Sequence, residues 1–149
     1  LMAGGGIPCG NRLDLIAQPT DLLPTLMDLA GAHFAPPAPF HGKSFAKALK
    51  SGTGRHRDVA VSGRFMKLDQ GMPECHCPPF VATDDWGYAP VGVDGKPELY
   101  ALNEDPLAEN NVAGDNGDVL KEMQGLFLEH LKQNDGAEDY VQAWEKLLR

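Results

Sequence analysis

Phe80-Val81-Ala82-Thr83-Asp84-Asp85-Trp86-Gly87-Tyr88-Ala89-Pro90-Val91, followed by Pro97-Glu98-Leu99-Tyr100-Ala101-Leu102, is the stretch on which the fold turns. Two short apolar runs, 80–83 and 88–91, flank Asp84-Asp85-Trp86-Gly87, which reads as a hairpin turn. A second turn, Val93-Asp94-Gly95-Lys96, leads into a strand over 97–102. Parallel neighbours need a crossover of a dozen or more residues, so runs joined this closely pair antiparallel. Upstream, Asp58-Val59-Ala60-Val61-Ser62-Gly63-Arg64-Phe65 reads as a further strand. The expectation is a small antiparallel sheet of about four strands.

On either side the apolar period changes from two to that of a helix. In Thr20-Asp21-Leu22-Leu23-Pro24-Thr25-Leu26-Met27-Asp28-Leu29-Ala30-Gly31, the side chains of Leu22, Leu26 and Leu29 share a face, with Leu23, Met27 and Ala30 beside it. Thr20 or Asp21 suits the N-cap, Pro24 is tolerated in the first turn, and Gly31 suits the C-terminal stop. Pro36, Pro37 and Pro39 mark a loop, after which Ser44 is placed to cap a short helix carrying Phe45, Ala48 and Leu49 and ending at Gly52. The last third is helical. Val119, Met123, Leu126, Phe127 and Leu131 follow one face, with Asn116 or Asp118 as caps. After a break at Asn134-Asp135-Gly136, Ala137, Tyr140, Val141, Trp144, Leu147 and Leu148 make a final amphipathic face. The fold class expected is α+β: the sheet packed against a C-terminal helix and preceded by short helices.

The bulk numbers agree. The chain has 149 residues, 42% of them hydrophobic, which suits one packed domain and argues against wholesale disorder. Net charge is −8, and no run of Lys and Arg mixes with aromatics, so nucleic acid is not an expected partner. No apolar run approaches the roughly 18 residues needed to span a membrane. The opening residues lack the charged and apolar regions of a signal peptide. The chain starts at Leu1 on what reads as a strand end running into a glycine loop, as a cut inside a longer chain would leave it. Cys9, Cys75 and Cys77 do not form a disulfide framework.

Taken in order, two segments carry a family resemblance. Asp21-Leu22-Leu23-Pro24-Thr25-Leu26-Met27-Asp28-Leu29-Ala30-Gly31 resembles the "DLxPTLxxLAG" helix of the sulfatase family, within the alkaline phosphatase-like superfamily. Glu98-Leu99-Tyr100-Ala101-Leu102-Asn103-Glu104-Asp105-Pro106 resembles its late "ELYDLxxDPxExxNLA" segment and continues through Glu109, Asn111, Val112 and Ala113. Between them, Phe40-His41-Gly42-Lys43-Ser44-Phe45 resembles the "DGxSL" turn, and Thr83-Asp84-Asp85-Trp86-Gly87-Tyr88 the hairpin before the "ELY" strand. The resemblance covers nearly the whole chain. It implies the C-terminal portion of a sulfuric ester hydrolase, with residues 1–52 as the trailing edge of the large α/β domain and 53–149 as the C-terminal subdomain.

The same resemblance says what is absent. The family's nucleophile is a Cys or Ser of a Cys/Ser-X-Pro-X-Arg motif, converted to formylglycine, beside a calcium held by Asp and Asn or His side chains. Neither Cys9-Gly10-Asn11-Arg12 nor Cys75-His76-Cys77-Pro78-Pro79 matches it. The expectation is that the parent uses formylglycine and calcium and that this chain holds no catalytic residue and no metal ligand. The expected partner is an N-terminal catalytic portion of the same protein, with self-association as the other way to cover exposed apolar surface. A periplasmic or secreted location is what the family implies. A phosphoesterase or phosphonate hydrolase of the same superfamily is the enzymatic alternative, and a free-standing binding module the third reading.

Several residues invite a sharper reading. Cys75, His76 and Cys77 place two thiols and an imidazole together, as zinc would favour. A structural zinc site takes four ligands, however, and His33, His41, His56 and His130 are distant in sequence. The plainer reading is a loop with two thiols. Lying between sheet strands, that loop is expected to lean over the parent's cleft, which makes Cys75, His76 and Cys77 the candidate substrate-binding residues. Asp84-Asp85 reads as a solvated turn rather than a metal pair. For Arg55-His56-Arg57 a sulfate contact competes with a solvated basic loop. Trp86 and Trp144 read as packing residues.

Overall fold

Strand and helix both form where the periodicity changes. The computed structural model describes residues 2, 4, 6–33, 35, 40–63, 68–69, 72–73, 78–134 and 136–148. The chain resolves into two compact units, residues 1–60 and 61–149.

In the first unit an extended lead-in ends in a 3-10 turn, Pro19–Asp21, that runs directly into helix α1, Leu22–Ala30. Gly31 closes α1 in the left-handed conformation, φ 66°, and Ala32 N–H donates to the Met27 carbonyl at 2.9 Å. This is the glycine stop expected, in a conformation that costs glycine little. Helix α2, Ala46–Ser51, follows. Ser44 lies just ahead of it, and its hydroxyl accepts from the Ala46 N–H at 3.3 Å. Ala46 and Ala48 are the buried residues of α2. The burial of α1 runs against its apolar pattern. Thr25 is fully buried, whereas Leu22, Leu23 and Leu26 are 44%, 44% and 53% exposed.

The described strands are β1 (Ala60–Ser62), β2 (Leu68–Asp69), β3 (Met72–Pro73), β4 (Phe80–Ala82), β5 (Trp86–Ala89) and β6 (Glu98–Ala101). Four of them form the antiparallel sheet of the second unit, in the order β1-β4-β5-β6. A small hairpin of β2 with β3 pairs separately and is not foreshadowed by the sequence pattern. Val81 faces Tyr88 across β4 and β5, and Tyr88 faces Leu99 across β5 and β6. All three are fully buried, so this row of cross-strand neighbours is the most deeply buried part of the sheet, with Ala89 of β5 also in the core.

The hairpin is tighter than expected, because Trp86 and Gly87 belong to β5 rather than to the turn. The Thr83 hydroxyl accepts from the Trp86 N–H at 3.0 Å, and Thr83 N–H donates to the Trp86 carbonyl at 2.8 Å. Those bonds close the turn one residue pair earlier. Space is tight at Gly87: a Cβ there would lie 2.6 Å from the Phe80 ring and 3.1 Å from Leu102, so both side chains would have to shift to admit one. Beyond β6, Val112 N–H bonds the Leu99 carbonyl and the Asn111 side chain accepts from the Leu99 N–H. The segment after the "ELY" strand therefore satisfies that strand's outer edge.

Helices α3 (Gly117–Gln133) and α4 (Glu138–Leu147) complete the unit. Asn116 sits at the N-cap of α3, but its amide turns back to donate to the Val112 carbonyl at 3.0 Å, so the expected cap bond does not form. Met123 and Phe127 of α3 and Val141, Ala143 and Trp144 of α4 are buried. The Phe127 and Trp144 rings meet edge to face at 5.1 Å, a geometry the ring quadrupoles favour. Lys132 bridges to Glu145 at 2.8 Å on the outside. The turn between the helices includes Gly136, whose N–H reaches the Leu131 carbonyl at 2.9 Å. The Asp135 part of the predicted break lies outside the described residues. Leu147, expected on the buried face, is 37% exposed.

Candidate functional site

The group with the most concentrated chemistry is built around Asp21, the last residue of the 3-10 turn. Its side chain is fully buried and would carry a charge into the protein interior, which is costly unless it is paired. Five donors meet it. Gln18 N–H donates to Oδ2 at 2.9 Å and Lys43 N–H to Oδ1 at 2.8 Å. Arg57 donates through Nε to Oδ2 at 2.7 Å and through Nη2 to Oδ1, a two-pronged pairing of the kind guanidinium and carboxylate geometry allows. His56 Nε2 lies 3.0 Å from Oδ2. The His56 and Arg57 side chains are themselves only 5% and 7% exposed.

A second layer holds the first. The Thr25 hydroxyl donates to the Asp21 carbonyl at 2.6 Å and accepts from the Phe45 N–H at 3.0 Å. Arg57 Nη2 also donates to the His41 carbonyl at 3.0 Å. The Phe45 ring packs against His56 with centroids 5.2 Å apart. Gly42 fits because no Cβ could: one would lie 2.1 Å from the Thr20 carbonyl oxygen. The start of α1, the 41–45 turn and the 56–57 segment are thus tied to a single carboxylate.

Burial alone would raise the pKa of Asp21. The Arg57 bond, the Lys43 and Gln18 N–H groups and His56 outweigh it and hold the carboxyl far below the usual carboxylate value of 3.8. A carboxylate offers about four lone-pair sites. Those of Asp21 are taken, it is shut off from solvent, and it has no affinity for a proton near neutrality. It therefore cannot serve as a general base or as a ligand to an incoming metal without dismantling the clasp. Among the described residues no group of three or more His, Cys, Asp or Glu side chains converges as a metal site.

The residues that the sequence alone singles out fare differently from this cluster. Cys75, His76 and Cys77 lie outside the described residues. Of the Arg55-His56-Arg57 run, only Arg55 is exposed, in an ion pair with Asp58 at 3.2 Å. His56 and Arg57 are interior residues bound to a carboxylate rather than a solvated loop. Asp21, which reads as a helix cap, makes no side-chain bond to the N–H groups of α1. No local signal corrects either reading, since the partners are 35 and 36 residues apart. Asp85 accepts from the Asn103 amide and its carbonyl from the Leu102 N–H, which gives it a hairpin-closing role. In the first unit a groove of about 620 Å³ is lined by Ile7, Pro8, Leu13, Phe45 and Leu49, with the exposed Cys9 at its edge. Tyr100 donates to Glu98 at 2.7 Å; burial, and then Glu98 and Asp105, push its hydroxyl up to about 12.

No family model and no curated protein matches the sequence. Solved structures do. A protein from Bacteroides thetaiotaomicron assigned as a sulfatase superposes with a TM-score of 0.61 at 27% identity, over 78% of this chain and 25% of that one. A 2-O GAG sulfatase gives 0.62 at 26% identity, over 82% and 26%. The phosphonate monoester hydrolase of Agrobacterium radiobacter gives 0.56 at 24% identity, over 76% and 24%, a likeness of fold. Coverage of about a quarter of those chains agrees with the C-terminal portion to which the two sequence segments pointed. This chain is sulfatase-like, and it spans about a quarter of the length of the solved sulfatases it matches.

Proposed function

We propose that the chain is the C-terminal portion of a sulfatase-like sulfuric ester hydrolase and serves that enzyme as scaffold and cleft wall rather than as a source of reacting groups. The observation that carries this reading is the saturation of Asp21. The most conspicuous acidic residue of the "DLxPT" segment is consumed by internal donors, and the "ELY" segment likewise spends its polar groups on closing its own strand. Both recognisable segments build structure.

In this reading an upstream portion supplies the formylglycine nucleophile and the calcium, and Cys75, His76 and Cys77 line the substrate entrance. Sulfated sugars are the substrate class, in keeping with the GAG sulfatase among the structural neighbours. The phosphonate hydrolase neighbour keeps phosphoester or phosphonate chemistry as the second reading. Sequencing the coding region upstream, followed by peptide mass spectrometry of the longer protein, separates them. A Cys/Ser-X-Pro-X-Arg motif whose Cys or Ser carries the mass of formylglycine is expected. An upstream Thr nucleophile in another context would move the assignment to phosphoester chemistry, and a start codon immediately before Leu1 would favour a free-standing module.

A further inference from the structure

The chain has six asparagines, Asn11, Asn103, Asn110, Asn111, Asn116 and Asn134, and of these Asn116 alone is followed by glycine. Gly117 opens helix α3, although only proline has a lower helix propensity. The fold does not ask for it. A Cβ at Gly117 would meet no atom within 4 Å beyond its own helix, and its φ lies outside the left-handed region. Gly42 differs, since a Cβ there would strike the Thr20 carbonyl oxygen. The Asn116-Gly117 step is thus set apart by its chemistry and not by packing.

Asn116 also joins two elements. Its Nδ2 donates to the Val112 carbonyl at 3.0 Å, and its own carbonyl accepts from the Leu120 N–H at 2.9 Å, the first bond of α3. Val112 N–H in turn donates to the Leu99 carbonyl at 2.8 Å, and the Asn111 side chain accepts from the Leu99 N–H at 3.1 Å. Through Val112, the Asn116 amide latches the start of α3 to the segment that covers the outer edge of β6. Gly117 is exposed and Asn116 half-buried. They stand at a helix end, where the backbone frays and departs from its resting conformation.

We propose that Asn116-Gly117 is a self-modification site, and that loss of the Asn116 amide opens this latch. The backbone nitrogen of Gly117 gives its proton to hydroxide and attacks Cγ of Asn116. A new N–Cγ bond forms, the Cγ–Nδ2 bond breaks, and ammonia leaves with a proton taken from water. Glycine favours this closure because no side chain crowds the nitrogen or narrows its backbone. Water then opens the resulting succinimide. Attack at Cγ gives aspartate, and attack at the main-chain carbonyl gives isoaspartate. The sum is one water in and one ammonia out, with no change of oxidation state. An ionised carboxylate only accepts hydrogen bonds, so neither product can donate to the Val112 carbonyl, and two oxygens now oppose each other. The segment over β6 loses an anchor, and the strand edge it covers is left open. The inference does not depend on the sulfatase reading.

The test is incubation of the 149-residue chain at mildly alkaline pH, followed by peptide mass spectrometry that separates aspartate from isoaspartate. We expect Asn116 to convert ahead of the other five asparagines and to give both products. Gly117→Ala, for which the structure has room, is expected to slow that conversion by roughly tenfold while leaving the fold intact. Asn116→Asp isolates the consequence. Amide exchange at Val112 and Leu99 is expected to quicken by roughly three- to tenfold, the loss of one hydrogen bond, with exchange at Val81 and Tyr88 unchanged. Conversion at Asn116 no faster than at the other asparagines, or unaffected by Gly117→Ala, would overturn the modification. Unchanged exchange at Val112 in Asn116→Asp would overturn the latch.

Discussion

Helices α1 and α4 look alike in sequence and are used in opposite ways. Both are amphipathic, and both carry large apolar residues at helical spacing. Helix α4 buries the middle of that stripe, Val141 and Trp144, with Trp144 fully enclosed against Phe127. Helix α1 buries Thr25, with Asp21 just before it, and leaves Leu22, Leu23 and Leu26 facing outward. The first unit is organised by one buried carboxylate and its donors, the second by an aromatic core. Apolar periodicity reports that a helix forms and which of its faces seeks cover; it does not report that the cover is part of the same 149 residues. An exposed leucine face on a chain a quarter the length of its structural neighbours fits a helix whose apolar partners belong elsewhere in a longer protein.

The comparison can be broken most sharply at its two centres. Replacing Asp21 with Asn leaves the buried Arg57 without its counter-charge, and a loss of about 3–5 kcal/mol in stability of the first unit is expected, read by hydrogen exchange at the α1 amides. The linkage has a definite sign. The folded-state pKa lies below the unfolded value of 3.8, so the stabilisation is complete above that pH and is lost as pH falls from it through the folded-state value. Asp21→Asn should therefore remove much of the acid sensitivity of α1 exchange. In the second unit, Trp144→Ala should cost a similar amount, about 3–5 kcal/mol, through lost burial and a cavity. Denaturant unfolding measures it, and no comparable pH dependence is expected in the acid range where Asp21 titrates.

Smaller changes sharpen the contrast. Thr25→Val keeps the shape but leaves Phe45 N–H without its acceptor, for an expected loss of about 1–3 kcal/mol. A gain in stability would mean that α1 wants an apolar interior after all. The smallest effect is expected at Leu26→Gln, within about 0.5 kcal/mol by thermal unfolding, because over half of that side chain is already in water. A loss of roughly 2 kcal/mol or more there, the scale of a truncated core side chain, would show that the apolar face of α1 is packed within this chain.

Much of this is legible in the sequence. The α+β class, the sheet, the glycine stop after α1 and the amphipathic α3 and α4 all follow from local pattern, because each depends on neighbours within a turn or a hairpin. The Asp21 clasp is not legible. Asp21 next to a helix start reads as a cap, and His56 and Arg57 in a polar run read as loop; only the fold brings them within hydrogen-bond distance. The hairpin turn reads two residues too long because the Thr83 hydroxyl, a side-chain acceptor, substitutes for part of it. The Cys75-His76-Cys77 reading lies outside the described residues.

The proposed division of labour is that a parent hydrolyses esters while these residues hold structure. Hydrolysis of an aryl sulfate by the purified 149-residue chain, set beside the longer protein expressed with its upstream region, tests it most directly. The account predicts turnover by the longer protein and none above the buffer rate by the 149-residue chain. Robust turnover by the 149-residue chain alone, retained after chelation and repurification, would contradict it.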